Sequence, residues 1–533
     1  MNHSSININD LPDEIILMIW NKLSNIDVLY SFVGVNQRLD KLVRDPLYTR
    51  SIQLTKTRTN KYYSLPNSII DRYCLNILPE IHQRIECLTL EPSSMERILL
   101  SNDYPRLYKL TFIKINEDFV LRHFNDESPL INTFKYNIKH LTMTIDRKGF
   151  TSLSSIDLGK NLVTQIFNIF LNLIDLDFLQ DLIRNFTLVS VYKLPSTICY
   201  SSSLISLSIC VDSIDDCLCL LDGHLFQLQK LTIAIKQIDN STLTTENLKL
   251  SNMNYFSLSS YRPTKEYDTY ILPLIRQMKH LEELMLSINV YGRSTLIDGI
   301  HLENEMLIYL PKLQIFKFNI VTYNENMSNE NHIQSNNDLR RTFLNWRYSH
   351  VDCYMNSYPN NQARSHIFSV PCNQNDMYII SSGFLGGFHT NVRILFLIDR
   401  VYPFTYEFFL RIAHAFPLIT ELTVLNNRVY NNTDENINQI KSIVEFHHLT
   451  FLTIHFQQDI YVEQFLVDTN TYLPNLINLT ISYDNLATVT NNFTRHSTRH
   501  NCSKVEILKF TTCPITVHSK EFYLHFPCLE LTR

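Results

Sequence analysis

From residue 85 onward the chain keeps returning to one pattern: an apolar residue, two others, an apolar residue, one other, and an apolar residue. The first copies read IECLTL at 85, LYKLTF at 107, IKHLTM at 138, LIDLDF at 173, LISLSI at 204, LQKLTI at 228 and MNYFSL at 253. They continue as LEELML at 281, LQIFKF at 313, VRILFL at 392, ITELTV at 419, LTFLTI at 449, LINLTI at 476 and VEILKF at 505. Short alternation of this kind predicts a strand with one buried face. Most steps are 22 to 35 residues long, the period of stacked supersecondary repeats. Prolines precede several copies, in YPRL at 104, LPKL at 310, FPLI at 416 and LPNL at 473, where they close the preceding segment and set an extended approach. Between copies lie helical stretches. The clearest is TYEFFLRIAHAF from Thr405, with a stripe of Phe408, Leu410, Ile412 and Phe416, and VEQFLVDTNTYL from Val462 is another.

The first 50 residues follow a different period. Leu11-Pro12 followed by Asp13 and Glu14 is a helix start, because proline suits the first turn and acids suit the positive end of the helix dipole. Ile15, Ile19 and Leu23 then recur every four residues, with Ile16, Leu17 and Trp20 beside them. These cover an arc of roughly 200°, about twice what a surface helix needs. Such a helix is gripped from two sides. Ser24 with Asp27 three residues on predicts a second helix, and Asn36 caps a third that carries Leu39, Leu42 and Val43 and ends at Asp45-Pro46. Three short helices in so few residues are near the lower limit of independent stability. Over-wide apolar faces on so small a module point to an obligate partner.

This stretch resembles the F-box, the adaptor-binding module of cullin-type ubiquitin ligase substrate receptors. The resemblance lies in Leu11, Pro12, Glu14 and Ile15, then Ile19, Leu23 and Asp27, then Val35, Arg38 and Asp45-Pro46-Leu47. Leu39 stands where the family often has tryptophan, and Asp45-Pro46-Leu47-Tyr48 is one residue shorter than the usual ending. The resemblance implies docking of a Skp1-like adaptor, and through it a cullin, by Leu11, Pro12, Glu14, Ile15, Ile19, Leu23, Val35, Arg38 and Leu47. The repeated part, strand then turn then helix, resembles leucine-rich repeats. The buried asparagine which that family places after the strand fits at Asn289 and Asn427 and is missing from most copies.

The expected organisation is therefore α/β: an F-box-like module over 7–50, a helical linker over 51–84 with a helix from Ser68 to Leu78, and an irregular leucine-rich-repeat-like solenoid over 85–533. One interval breaks the rhythm. Residues 322–390 open with the asparagine-rich run YNENMSNENHIQSNND, expected to be a mobile loop, and include Trp346 in an apolar patch and a strand-like HIFSVPCN from His366. They are either an insertion or decayed repeats. The last residues, FPCLELTR, begin one more copy.

Composition narrows the function. A net charge of −5 with acids and bases nearly balanced is not the basic footprint of a nucleic-acid binder. Eleven cysteines, odd in number and irregular in spacing, point to a reduced setting, cytoplasmic or nuclear. The amino terminus MNHSSININD lacks the basic start and apolar run of a secretory signal, and IFNIFLNLIDLDFL is too broken by Asn and Asp to span a membrane. Sequons at Asn185, Asn240 and Asn478 are then chance matches.

Candidate chemistry is sparse. His496 and His500 are four apart with Cys502 near, but a second ligand pair is lacking, so a solvent-exposed loop is expected rather than a metal site. Gly383, Gly386 and Gly387 lack the lysine and hydroxyl of a phosphate loop and predict a turn. Asp212, Asp215 and Asp216 predict a solvated turn. No catalytic constellation and no cofactor is expected. Recognition falls instead to strand residues between the apolar anchors, which face the inner side of a solenoid: Glu283 and Met285 with Ser287, Lys317 with Ile315 and Asn319, Phe451 and His455 with Thr453, and Asn478 with Thr480 and Ser482. Their mixed character suits a target protein. The resemblance implies a non-catalytic target receptor of a ubiquitin ligase. The other class is a binding scaffold in which the F-box survives as a structural cap.

Overall fold

All fourteen copies of the apolar template become strands, and each strand begins at the third residue of its copy. The computed structural model describes residues 8–58, 61–124, 128, 134–145, 154–178, 201–245, 248, 250–260, 262–324, 335–358, 362–370, 376–379, 384, 386–399, 404–426, 442–455, 459–511 and 519–529. The fold is α/β and solenoid-like, with an N-terminal helical region. It divides into two compact units, Met1–Tyr291 with Glu303–Ile315, and Gly292–Leu302 with Phe316–Arg533. Among the described residues no helix is long and apolar enough to cross a membrane.

The first unit opens with four helices: α1 (Asp13–Trp20), α2 (Asn25–Phe32), α3 (Gln37–Val43) and α4 (Pro46–Thr49). The caps read from the chain form. Ser24 accepts from the Asp27 N–H and Asn36 from the Leu39 N–H. Asp45 caps α4 and does not end the module, because its carboxylate accepts from the Leu47 N–H with Pro46 at the first helical position.

A parallel sheet follows in chain order: β1 (Ser51–Gln53), β2 (Cys87–Leu90), β3 (Lys109–Ile115), β4 (His140–Ile145), β5 (Asp175–Asp177), β6 (Ser206–Ser213), β7 (Lys230–Gln237), β8 (Tyr255–Ser260) and β9 (Glu283–Val290). Its register is regular. The central leucines Leu88, Leu110, Leu141, Leu176, Leu207 and Leu231 lie opposite one another in turn and are buried. The residue just before each strand supplies the joint. The carbonyls of Arg50, Glu86, Tyr108, Lys139, Ile174, Ile205, Gln229 and Asn254 each accept two successive N–H groups from the next repeat. A second joint uses side chains three residues ahead of the strand. Asn172 Nδ2 donates to the Tyr136 carbonyl at 3.0 Å, Ser203 Oγ to that of Leu171 at 2.9 Å, and Asn252 Nδ2 to that of Phe226 at 2.8 Å.

The segment over 51–84 is the first repeat. Ser51–Gln53 pairs with Cys87–Thr89, and the helical stretch Asn67–Ile81, with a wider π turn over Tyr73–Ile77, returns along the sheet and carries buried Ile70, Tyr73, Ile77 and Leu78. Asp212, Asp215 and Asp216 are not a solvated turn. Asp216 is 1% exposed and closes a capping box with Ser213 at the start of the helix Ile214–Leu220, while Asp212 pairs with Lys236 at 2.8 Å.

In the second unit β10 (Ile315–Asn324) pairs antiparallel with β12 (Gln362–Val370), which pairs antiparallel with β11 (His350–Tyr358). A six-stranded parallel sheet then runs β13 (Asp376–Ile379), β14 (Ile394–Asp399), β15 (Glu421–Asn426), β16 (Phe451–His455), β17 (Asn478–Ile481) and β18 (Ile507–Phe510). Among its described residues the interval 322–390 thus holds an antiparallel hairpin and a strand absent from the template series, β13, at the edge of the six-stranded sheet. Trp346 packs at 5.2 Å from Phe343 and 5.7 Å from Phe318. Residues 325–334 of the asparagine-rich run lie outside the described residues, and Ser335 caps a helix at Asn336–Arg341. The helix from Thr405 forms at Tyr406–Ala415, capped by Thr405. Its Phe408 and Ile412 share one core with Tyr354 and Phe368 of the hairpin and with Leu395, Leu422, Leu452 and Leu479 of the sheet.

Candidate adaptor-docking face

The two-sided apolar character of α1 resolves into two faces with different neighbours. Ile16 and Trp20 are fully buried with Val28, Leu29, Leu39 and Val43. The Trp20 ring lies tilted against Phe32 with centroids 4.5 Å apart and meets Tyr48 edge-on at 5.7 Å. On the other side Ile15, Met18 and Ile19 are 41%, 65% and 46% exposed, neighbours at three- and four-residue spacing on one face. Leu23 continues this face at 46% exposure. Tyr48 Oη donates to Asn21 Oδ1 at 3.1 Å, and Asn25 Nδ2 to the Leu47 carbonyl at 3.2 Å, so α4 is held beside the end of α1 and presents Leu47, 59% exposed. Val35, 54% exposed, follows Gly34 at φ 80°, a left-handed position where glycine avoids the Cβ penalty.

Pro12 and Glu14 are exposed and Leu11 is half-buried. Arg38 has another occupation. Its Nε donates to Asp13 Oδ1 at 2.8 Å, Nη1 to the Asn9 carbonyl at 2.7 Å and Nη2 to the Leu11 carbonyl at 2.5 Å. The guanidinium clamps the start of α1 to α3, and its side chain remains 39% exposed. Met18 was missing from the expected contact residues. Its signal was present, since it lies three residues from Ile15 on the outward stripe.

The expected target-facing residues divide. Glu283 and Met285 are half-buried on β9, opposite Tyr255 and Ser257 of β8. In the second unit Lys317 and His455 are half-buried, and burial lowers the His455 pKa. Phe451 and Asn478 are register partners on β16 and β17 but only 4% and 9% exposed. They form part of the packing and offer a target little surface. Asn289 is half-buried after all, and Asn427 lies outside the described residues.

His496 and His500 are solvent-exposed, as expected, but the segment is helical and not a loop. They lie on two short helices, His500 stacks on Tyr472 at 5.6 Å and Cys502 is fully buried. Among the described residues no group of three or more potential ligands gathers for a metal ion.

No protein-family model matches the chain, and no curated protein matches it. Among solved structures, the complex of Rad7 and Elc1 in yeast aligns over 91% of this chain and 95% of that chain, with 12% identity and a TM-score of 0.32. Likeness at that level leaves the functional reading to the residues of this chain.

Proposed function

We propose that the chain is the target-recognition subunit of a cullin-type ubiquitin ligase of the SCF kind. The N-terminal helices dock a Skp1-like adaptor, and the open sheet faces hold a target protein. One observation carries the reading: Ile15, Met18, Ile19 and Leu23 stand 41% to 65% exposed on a module whose opposite side is closed around Trp20. Water-exposed aliphatic side chains at this density mark an interaction face. The mechanism is proximity. Tethering raises the effective concentration of target lysines beside the ligase, and this chain needs no catalytic residue.

A second reading makes the helices a cap for the sheet. Asn25 Nδ2 donates to the Ser51 carbonyl at 3.2 Å, so α2 abuts the first strand. A cap needs Ile16 and Trp20 inside, but it gives no reason for apolar residues outside.

The test compares the full-length chain with its Ile15→Asp, Ile19→Asp double variant for retention of a purified Skp1-like adaptor, with circular dichroism as the folding control. The wild type should retain the adaptor and the folded variant should not. A wild type that fails to bind, or a variant that still binds, removes the receptor reading.

A further inference from the structure

We infer that the sheet of the first unit reads an extended target segment bearing alternating charges at every third residue. This deepens the receptor reading and rests on it for its use, although its test does not involve the adaptor. The first residues of successive strands are register partners across the sheet: Lys109, His140, Asp175, Ser206, Lys230, Tyr255 and Glu283. Their side chains lie on the face opposite the buried leucines, because strand side chains alternate. Every second strand in this row carries a full charge, and the sign changes each time: Lys109 positive, Asp175 negative, Lys230 positive, Glu283 negative. Lys109 and Lys230 are exposed, and Asp175 and Glu283 are half-buried.

The spacing selects the ligand. Neighbouring strands are about 4.8 Å apart, so the charges recur every ~9.6 Å. A polyproline II segment has three residues per turn and rises about 3.1 Å per residue, so every third side chain points the same way at ~9.3 Å intervals. A segment crossing the strands in that conformation, ordered acid-x-x-base-x-x-acid-x-x-base, meets Lys109, Asp175, Lys230 and Glu283 in turn. Beside the charged row runs a second one two residues on, in which Thr89, Thr111, Ser208, Thr232 and Ser257 are hydroxyl residues. Hydroxyls both donate and accept, which suits the unpaired amides of a polyproline II backbone. Asp177 interrupts this lane two residues on from Asp175, and His140 Nδ1 lies 3.5 Å from the Asp175 carboxylate.

The experiment uses the full-length chain and two synthetic peptides of identical composition, with proline or alanine between charges. One places glutamate, lysine, glutamate and lysine at every third position, and the other places two glutamates and then two lysines. The wild type should prefer the alternating peptide by about tenfold or more, with binding that weakens as salt rises. Exchanging signs at the centre, Asp175→Lys with Lys230→Glu, should reverse the preference, since the row then reads two positive and two negative charges. Equal binding of both peptides by the wild type, binding of neither, or an unreversed preference in a folded variant overturns the inference. The wild-type comparison stands even if the variant does not fold. Failure here leaves the adaptor result untouched, and failure of adaptor binding leaves this preference intact.

Discussion

The hydroxyl of Tyr73 donates a 2.6 Å hydrogen bond to the carbonyl of Ile26, joining the first repeat to the middle of the N-terminal helices. Tyr73 is fully buried, and burial, with the nearby Asp27 carboxylate, raises its pKa far above the usual phenol value. Around it Arg72 lies 4.6 Å over the Tyr30 ring, and Arg44 pairs with Glu80 at 3.0 Å. The N-terminal helices are therefore joined to the first repeat by buried and ion-paired contacts. Tyr73→Phe should cost about 1 kcal/mol, the net worth of a buried hydrogen bond, and should speed amide exchange in α2. Exchange in α2 that is unchanged in the variant would show that other contacts fix the module.

The two faces of α1 make opposite predictions. Ile16→Ala empties a closed core and should destabilise the helical module by about 2 to 5 kcal/mol. Met18→Asp changes an exposed residue and should leave stability within about 0.5 kcal/mol. Adaptor affinity should follow the other order, with folded Met18→Asp binding far more weakly than wild type. Thermal melts and an adaptor titration on both variants check this, and equal adaptor affinities for wild type and Met18→Asp would place the contact elsewhere.

Arg38 should act through the residues it clamps. Lysine keeps the charge but cannot bridge Asp13 and the Asn9 and Leu11 carbonyls at once. Arg38→Lys is expected to lose about 1 kcal/mol and to raise amide exchange around residues 9–16. Direct contact with the adaptor would instead lower affinity with no change of exchange in the free chain.

The strand series was legible because one-sided burial at fixed spacing survives the loss of any single consensus residue. Leu88 through Leu231 show this, each being the fourth residue of its copy. The joints between repeats were not legible. The bonds from Asn172, Ser203 and Asn252 end on backbone carbonyls, which leave no signature at the accepting position. The asparagine expected after the strand lies, at Asn289, within β9 itself and is half-buried. Strand β13 was missed because Asp376–Ile379 is short and preceded by polar residues, and only pairing with β14 defines it. The two apolar sides of α1 were half legible. Spacing showed that the helix is apolar on two sides, and the resemblance picked out Ile15, Ile19 and Leu23, whereas the bonds of Arg38 end on the Asn9 and Leu11 carbonyls, main-chain atoms that leave no signature in the sequence. Phe451 and Asn478 show the limit of alternation, which assigns a face but cannot say what else covers it.

Gly387 is required by its surroundings. Its φ of 130° is one that other residues rarely adopt, and a Cβ there would stand 2.7 Å from Nε2 of buried His389. That ring cannot easily give way, since it stacks on Phe416 at 5.0 Å. Gly386 shares the strained φ, at 114°, but a Cβ there meets open space. Gly386→Ala and Gly387→Ala should each cost about 1 to 3 kcal/mol through the backbone, with Gly387→Ala the worse. Combining Gly387→Ala with His389→Ala should recover the excess in a double-mutant cycle, and additive effects would show the His389 contact to be immaterial.

The same region should make the second unit acid-sensitive. His366 is fully buried, with Nδ1 2.7 Å from Tyr354 Oη and Nε2 2.5 Å from Asn319 Oδ1. The amide oxygen can only accept, so Nε2 carries the proton and Nδ1 accepts from the tyrosine. A second proton would convert that acceptor into a donor in a closed site. Burial, then Arg364 and His389, lower the His366 pKa to about 3, and burial lowers that of His389 to about 4. Both groups thus stay neutral when folded, while an unfolded histidine gains a proton below its usual 6.5. The folded state binds fewer protons than the unfolded one, so stability is full above pH 6.5 and is lost as the pH falls toward about 4. Well below the unfolded pKa each histidine should contribute a slope of about 1.4 kcal/mol per pH unit. Chemical denaturation across that window should show the loss, and His366→Gln should flatten it. A slope unchanged in both His366→Gln and His389→Gln would assign the acid sensitivity to other groups.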